Sequence, residues 1–174
     1  MLKKKGSKKN RFFKIKRRMT NKKRGTKIFG SIIGTFDGVP AYSNRKDGKK
    51  PSEENYINTG IKWQCVEYAR RYLQTTRGIT FQDVDGAFEI PSAKFTTLDG
   101  NSVKKTNDLK VGSLVIWPKK YEHNAPYGHV AVVSKIRPNG IYVAEQNYDD
   151  KTFPRFIDYD DLKNVAIIYP VYTN

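Results

Sequence analysis

The chain has 174 residues, 33 of them basic and 17 acidic, a formal net charge of +16, one cysteine and two histidines. One cysteine excludes an internal disulfide scaffold, no Cys/His group has the spacing of a structural zinc site, and no run of about 18 apolar residues exists to span a membrane. The length suits one ordinary domain with an appendage.

Residues 1–27 hold 14 of the Lys and Arg and no Asp or Glu, leaving 19 basic against 17 acidic groups in the remainder. This stretch has too few apolar side chains to offset the entropy of ordering a backbone, so a disordered basic tail is expected. Such a tail attracts nucleic acid, an anionic lipid surface or another polyanion, or simply keeps the chain soluble. Phe12, Phe13 and Ile15 are surrounded by charges and form no continuous apolar core, so no secretory signal is read. The expected location is intracellular, whether cytoplasmic, nuclear or packaged in a virion.

The body, residues 28–174, opens with short apolar runs broken by Gly30, Gly34, Gly38 and Pro40, which predicts extended and turning backbone. Residues 44–60 are polar, contain Gly48, Pro51 and Gly60, and read as a surface loop. Residues 63–77 lack Gly and Pro and place Val66, Ala69 and Leu73 at i, i+3 and i+7, the period of a helix with one buried face. Glu67 sits four residues before Arg71, and Gly78 after Arg77 is a stop signal, so Cys65 falls in the first turn of this helix. Residues 113–117, 129–136, 141–147 and 165–172 then read as strands rich in Val, Ile and Tyr, with residues 137–140 turning the middle two into a hairpin. A helix followed by an antiparallel sheet is an α+β arrangement.

A lone cysteine either packs as a small hydrophobe or acts as a nucleophile. The first turn of a helix favours the second, because the positive end of the macrodipole and unpaired N–H groups stabilise a thiolate. Its partner is His123, in a polar loop, or His129, which follows Gly128 at the mouth of an apolar strand where a rigid sheet aims it. A third group has to hold the imidazole in one tautomer, and the next strand offers Glu145 and Asn147 on one face with Gln146 on the other. A two-residue turn at Pro138-Asn139 sets His129 and Glu145 on opposite faces of the hairpin. A three-residue turn ending at Gly140 restores a common face and brings Asn147 nearer to His129 than Glu145. Asp83 and Asp85 offer two carboxylates without further ligands, so no metal and no cofactor is expected.

The segment Lys62-Trp63-Gln64-Cys65-Val66-Glu67-Tyr68-Ala69-Arg70-Arg71, with Gly128-His129-Val130-Ala131-Val132 and Ala144-Glu145-Gln146-Asn147, resembles the CHAP family of cysteine, histidine-dependent amidohydrolases and peptidases. The likeness is above all to the amidase domains of the glutathionylspermidine and trypanothione synthetase/amidases. It extends to Phe29-Gly30-Ser31-Ile32-Ile33-Gly34, covers residues 28–172 and does not reach the tail. It implies a papain-like fold with Cys65 as nucleophile, His129 as general base and then acid, and Glu145 ranked ahead of Asn147 as the group orienting the imidazole. It also implies an oxyanion donor at Gln64 beside the backbone N–H of Cys65, a further polar position at Asn147, and a substrate contact at Arg70, whose other reading is a helix-surface charge.

The implied substrate is a polyamine conjugate of the glutathionylspermidine kind or another small peptide amide. Cell-wall peptide hydrolysis is the second enzymatic reading. The non-enzymatic reading is a nucleic-acid or virion-associated protein that uses the basic tail and keeps a residual hydrolase body. The ATP-dependent ligase of the bifunctional members is not expected within this chain.

Overall fold

A computed structural model describes residues 28–44, 56–119, 126–148 and 152–173. The basic tail and His123 lie outside the described residues. The glycine-punctuated opening folds as a hairpin of β1 (Ile32–Phe36) and β2 (Val39–Tyr42), and the polar stretch that follows ends in the small hairpin of β3 (Tyr56–Ile57) and β4 (Gly60–Ile61).

The one α-helix among the described residues is α1 (Cys65–Arg77), with Gln64 as N-cap. Cys65, Tyr68, Ala69, Tyr72 and Leu73 form its buried face at i, i+3, i+4, i+7 and i+8, the stripe that a helix on a sheet requires. Gly78 caps the end at φ 59°, a left-handed conformation in which a Cβ is strained, and its N–H bonds to the carbonyls of Leu73 and Gln74. The sequence pattern places the helix correctly to within two residues at its start.

After α1 the chain makes the short pair β5 (Ile79–Phe81) and β6 (Phe95–Thr97), and then the strands of the main sheet. These are β7 (Val103–Thr106), β8 (Leu114–Trp117), β9 (His129–Arg137), β10 (Gly140–Ala144), β11 (Arg155–Asp158) and β12 (Ala166–Tyr172). They pair in the order β11–β10–β9–β8–β12–β7, antiparallel throughout. The architecture is α+β, with the cysteine-bearing helix packed on an antiparallel sheet. β7 and β11 escape the sequence pattern because they are short, charged edge strands, Val-Lys-Lys-Thr and Arg-Phe-Ile-Asp, without the long apolar run of the central strands.

Burial on both faces explains the uninterrupted apolar runs of the central strands. Leu114, Ile116, Val130, Val132 and Ala144 pack with Ala69 and Leu73 of α1, while Val115, Ala131, Val133, Ile141, Val143 and Ile157 form a second cluster. Each buried Val, Leu or Ile among them contributes about 1.5–3 kcal/mol relative to exposure, which makes this layer the main stabilising element.

The β9–β10 hairpin corrects both register expectations. Gly140 faces Arg137 across a two-residue turn, and the same register continues through Ile141↔Ile136 and Tyr142↔Lys135. It then slips: Val143 faces Val133 and Ala144 faces Val132. Ser134 is the extra residue of a β-bulge, and one extra residue exchanges the faces of everything beyond it. His129 and Glu145 therefore share a side without the longer turn. β10 also ends at Ala144, three residues short of the expected strand, because Asn147 adopts φ 58°.

Among the described residues no helix is long and apolar enough to cross a membrane, and no group of three or more His, Cys, Asp or Glu side chains converges as a metal site.

Candidate active site

Cys65 opens α1 and is 7% exposed. Burial pushes its thiol up, but the His129 imidazolium and the backbone N–H groups of Val130 and Val66 pull it down further, leaving it below its ordinary value. The helix N-terminus expected to stabilise a thiolate thus acts through one identifiable donor, Val66 N–H, and the sheet adds a second at Val130.

His129 is the first residue of β9, opposite Trp117 of β8, and is fully buried. Gly128 feeds it into the strand at φ 67°, where a Cβ would lie 2.5 Å from the Trp117 carbonyl oxygen, so both conformation and space demand glycine. The ring lies between Trp117 and Tyr148, with centroid separations of 5.6 and 5.4 Å. Its Nε2 is 2.8 Å from Glu145 Oε2. Its Nδ1 is buried and makes no hydrogen bond, and the thiol electrostatically coupled to the ring is that of Cys65.

Burial disfavours the imidazolium, yet the Cys65 thiolate and the Glu145 carboxylate outweigh it and push the histidine up to about 9. Glu145 is 3% exposed; desolvation raises its carboxyl, and His129 and Arg155 lower it more, so it stays below the usual carboxylate range. An ionised Glu145 can only accept, which puts the proton on Nε2. These directions favour the thiolate–imidazolium form of Cys65 and His129, with the Glu145 carboxylate behind the imidazole. Such a pair is equipped for nucleophilic attack followed by proton delivery.

Gln64 and Asn147 come together beside this pair. Asn44 Nδ2 donates to Asn147 Oδ1 at 2.6 Å, and Asn147 Nδ2 donates in turn to Gln64 Oε1. Gln64 is the N-cap of α1 and directly precedes Cys65. Arg70 is placed differently from a surface charge. It is 6% exposed and donates to the Thr59 and Gln82 carbonyls at 2.9 and 3.2 Å, pairs with Asp83 at 3.0 Å, and stacks on Phe81. Asp83, half of the acidic pair considered as a metal loop, is thus a partner for Arg70.

Four residues that the sequence pattern does not flag hold the site in place. Gln146, the position pointing away from His129, is fully buried; its Nε2 donates to Glu67 Oε2 at 2.9 Å and its Oε1 accepts from Tyr42 N and Arg71 at 2.8 and 2.9 Å. Glu67 also accepts from Thr59 and from Arg71 Nε, at 2.8 and 2.7 Å. Glu67 and Arg71, legible only as a helix-surface pair, therefore tie α1 to β2 and to the end of β10, and hydrogen bonds to charged groups of this kind are worth about 1.5–3 kcal/mol each. The fourth is Arg155 of β11, whose Nε and Nη2 donate to Glu145 Oε1 and Oε2.

The CHAP domain matches residues 56–147, which include Cys65, His129 and Glu145. The chain belongs to the CHAP family. It is 33% identical over 151 residues to the bifunctional glutathionylspermidine synthetase/amidase of Escherichia coli (strain K12), covering 73% of this chain and 24% of that protein. It is 28% identical over 163 residues to glutathionylspermidine synthase of Crithidia fasciculata, covering 75% of this chain and 22% of the relative. The chain thus spans about a quarter of the length of the curated relatives it matches. The crystal structure of Ly7917 is similar to a TM-score of 0.45 at 18% identity, over 62% of this chain and 53% of that one. As a CHAP domain, the chain is by family a hydrolase of amide bonds.

Proposed function

We propose that this CHAP domain cleaves the amide bond of a glutathionylspermidine-like polyamine conjugate or a related small peptide amide through a thioester acyl-enzyme. The observation that supports the mechanism is the buried His129, with Nε2 committed to the Glu145 carboxylate, Nδ1 making no hydrogen bond, and the ring coupled to the Cys65 thiol. The substrate class rests on the relatives, which are named for glutathionylspermidine chemistry.

In the first half-reaction the Cys65 thiolate attacks the amide carbonyl carbon. The oxyanion that develops accepts from the Cys65 backbone N–H and from Gln64 Nε2, a pairing in which one donor is worth about 10²–10³ in rate. The C–N bond then breaks as His129 gives its proton to the departing amine, leaving a thioester and a neutral imidazole. Water, deprotonated by His129, attacks the thioester; the acid leaves, and the thiolate and imidazolium are restored. In this scheme Arg70, gripping the Thr59 and Gln82 carbonyls, shapes the wall against which substrate lies.

The test is mass spectrometry of the purified full chain incubated with glutathionylspermidine. Release of glutathione and spermidine is expected; intact conjugate, with turnover of another peptide amide, would reassign the substrate and keep the mechanism.

The tail is proposed as an addressing element, separate from the chemistry. Deleting residues 1–27 removes 14 positive charges. Turnover of a small amide is expected to stay within about twofold, because the body has its own core. Adsorption to heparin at low salt is expected to fall steeply, as it does when phosphate-neutralising cations are lost. Equal heparin retention by the shortened chain would place the anion site on the body instead.

A further inference from the structure

We propose that Arg155 is a positioning residue of the site: its guanidinium grips both oxygens of the Glu145 carboxylate, aims it at His129, and completes the charge balance of the buried cluster. The proposal rests on the reading of Cys65 and His129 as the reacting pair. It concerns a residue outside the matched domain segment, on the edge strand that no motif flags.

The geometry is specific. Arg155 Nε bonds to Glu145 Oε1, and its Nη2 reaches Oε2 at 3.0 Å. Oε2 is the oxygen that also accepts from His129 Nε2 at 2.8 Å. A two-point guanidinium contact fixes a carboxylate in its plane, which a single hydrogen bond to imidazole does not. The guanidinium is in turn fixed by stacking, 3.8 Å from the Tyr148 ring centroid and 5.7 Å from that of Trp117. Those two rings are the ones that flank His129. One aromatic frame thus sets both the imidazole and the guanidinium, with Glu145 held between them.

Charge counting gives the clamp a chemical consequence. Among the described residues, the charged groups facing one another here are Cys65 from α1, His129 from β9, Glu145 beyond β10 and Arg155 from β11, with the Tyr148 ring beside them. Glu67 and Arg71 of α1 are engaged with each other and with Gln146, and add no net charge. Thiolate, imidazolium, carboxylate and guanidinium sum to zero. Without Arg155 the cluster carries a buried net negative charge whenever Cys65 ionises, and a buried uncompensated charge is what a protein interior resists most. Removing the cation therefore moves thiolate formation to higher pH. A freed, buried carboxylate that takes up a proton weakens the imidazolium, and that change moves thiolate formation in the same direction.

Cys65 is the sole cysteine, so alkylation of the full chain reports on it alone. The experiment is the iodoacetamide reaction rate against pH for the parent, Arg155→Met, Arg155→Gln and Arg155→Lys, with thermal melting of each. The uncharged variants are expected to stay folded and to shift the midpoint of the profile upward by roughly half a unit to one unit, less than a group in direct contact with the pair would give. Arg155→Lys, which keeps the charge and loses the fork, is expected to shift it by less than half as much. Superimposable profiles for folded Arg155→Met and the parent would overturn the proposal, as would an equal shift in Arg155→Lys, or failure of both uncharged variants to fold while Arg155→Lys folds. A parent profile with an ordinary thiol midpoint is a different failure: it would overturn the reading of Cys65 as an activated nucleophile.

Discussion

Cys65→Ala is expected to abolish amide hydrolysis, by about 10⁴-fold or more, while the protein remains folded. Alanine keeps the helix start, and the volume lost is one sulfur atom at the end of a core cluster, so the stability cost is about 1 kcal/mol or less. His129 keeps its Glu145 partner in the variant, so no buried polar group is newly orphaned on that side. Measuring turnover and the melting temperature together separates the two accounts of this residue. A structural cysteine gives the reverse pattern, a lowered melting temperature with turnover per folded molecule unchanged, and that pattern would end the thioester mechanism.

Glu145→Gln carries the second large effect. Glutamine keeps the size and one acceptor but removes the charge that holds the imidazolium, and Arg155 then faces an amide beside a cation. His129 loses stabilisation, and the Cys65–His129 pair reverts toward thiol and neutral imidazole. Thiol alkylation near neutral pH should slow, and turnover should fall about 10²-fold or more. The pH sense follows from the direction of the shifts: the parent thiol ionises below its ordinary value because the imidazolium is present, so weakening the imidazolium moves thiolate formation upward. Asn147→Ala removes no charge. It releases Gln64 Oε1 and so loosens an oxyanion donor, which lowers the rate with the alkylation profile unmoved. A displaced profile for Asn147→Ala with none for Glu145→Gln would exchange the roles of the two residues.

What the sequence makes legible here follows from where each signal resides. The helix, its stop at Gly78 and the place of Cys65 at its start are local features, written in residues at most a few positions apart. The pairing of His129 with Glu145 is not local. Counting along a regular hairpin misplaces it, because Ser134 looks like any other residue of an alternating strand and nothing marks it as the bulge. Resemblance ranks Glu145 ahead of Asn147, and Glu145 is the residue that lies 2.8 Å from His129 Nε2; a family motif needs no register count. Arg155 and Gln146 escape both routes. Arg155 reaches Glu145 from an edge strand too polar to be noticed, and Gln146, assigned to the face away from the histidine, turns out to join α1, β2 and the end of β10. Buried polar networks assembled from distant segments leave no periodic trace.

The bulge at Ser134 divides the β9–β10 hairpin into two parts that answer to different constraints. From His129 to Val133, and from Val143 to Glu145, the alternation is locked by two buried clusters and by the site itself. Beyond the half-buried Ser134, β9 is exposed out to the turn at Pro138-Asn139, while Ile141 opposite it on β10 stays buried in the second cluster. The extra residue lets the β9 side of the tip leave the core while β10 remains packed. For an engineer, the tip is the place to graft a reporter or a recognition loop. Deleting Ser134, with Cys65, His129 and Glu145 unchanged, is expected to invert the inner strand and disassemble the site.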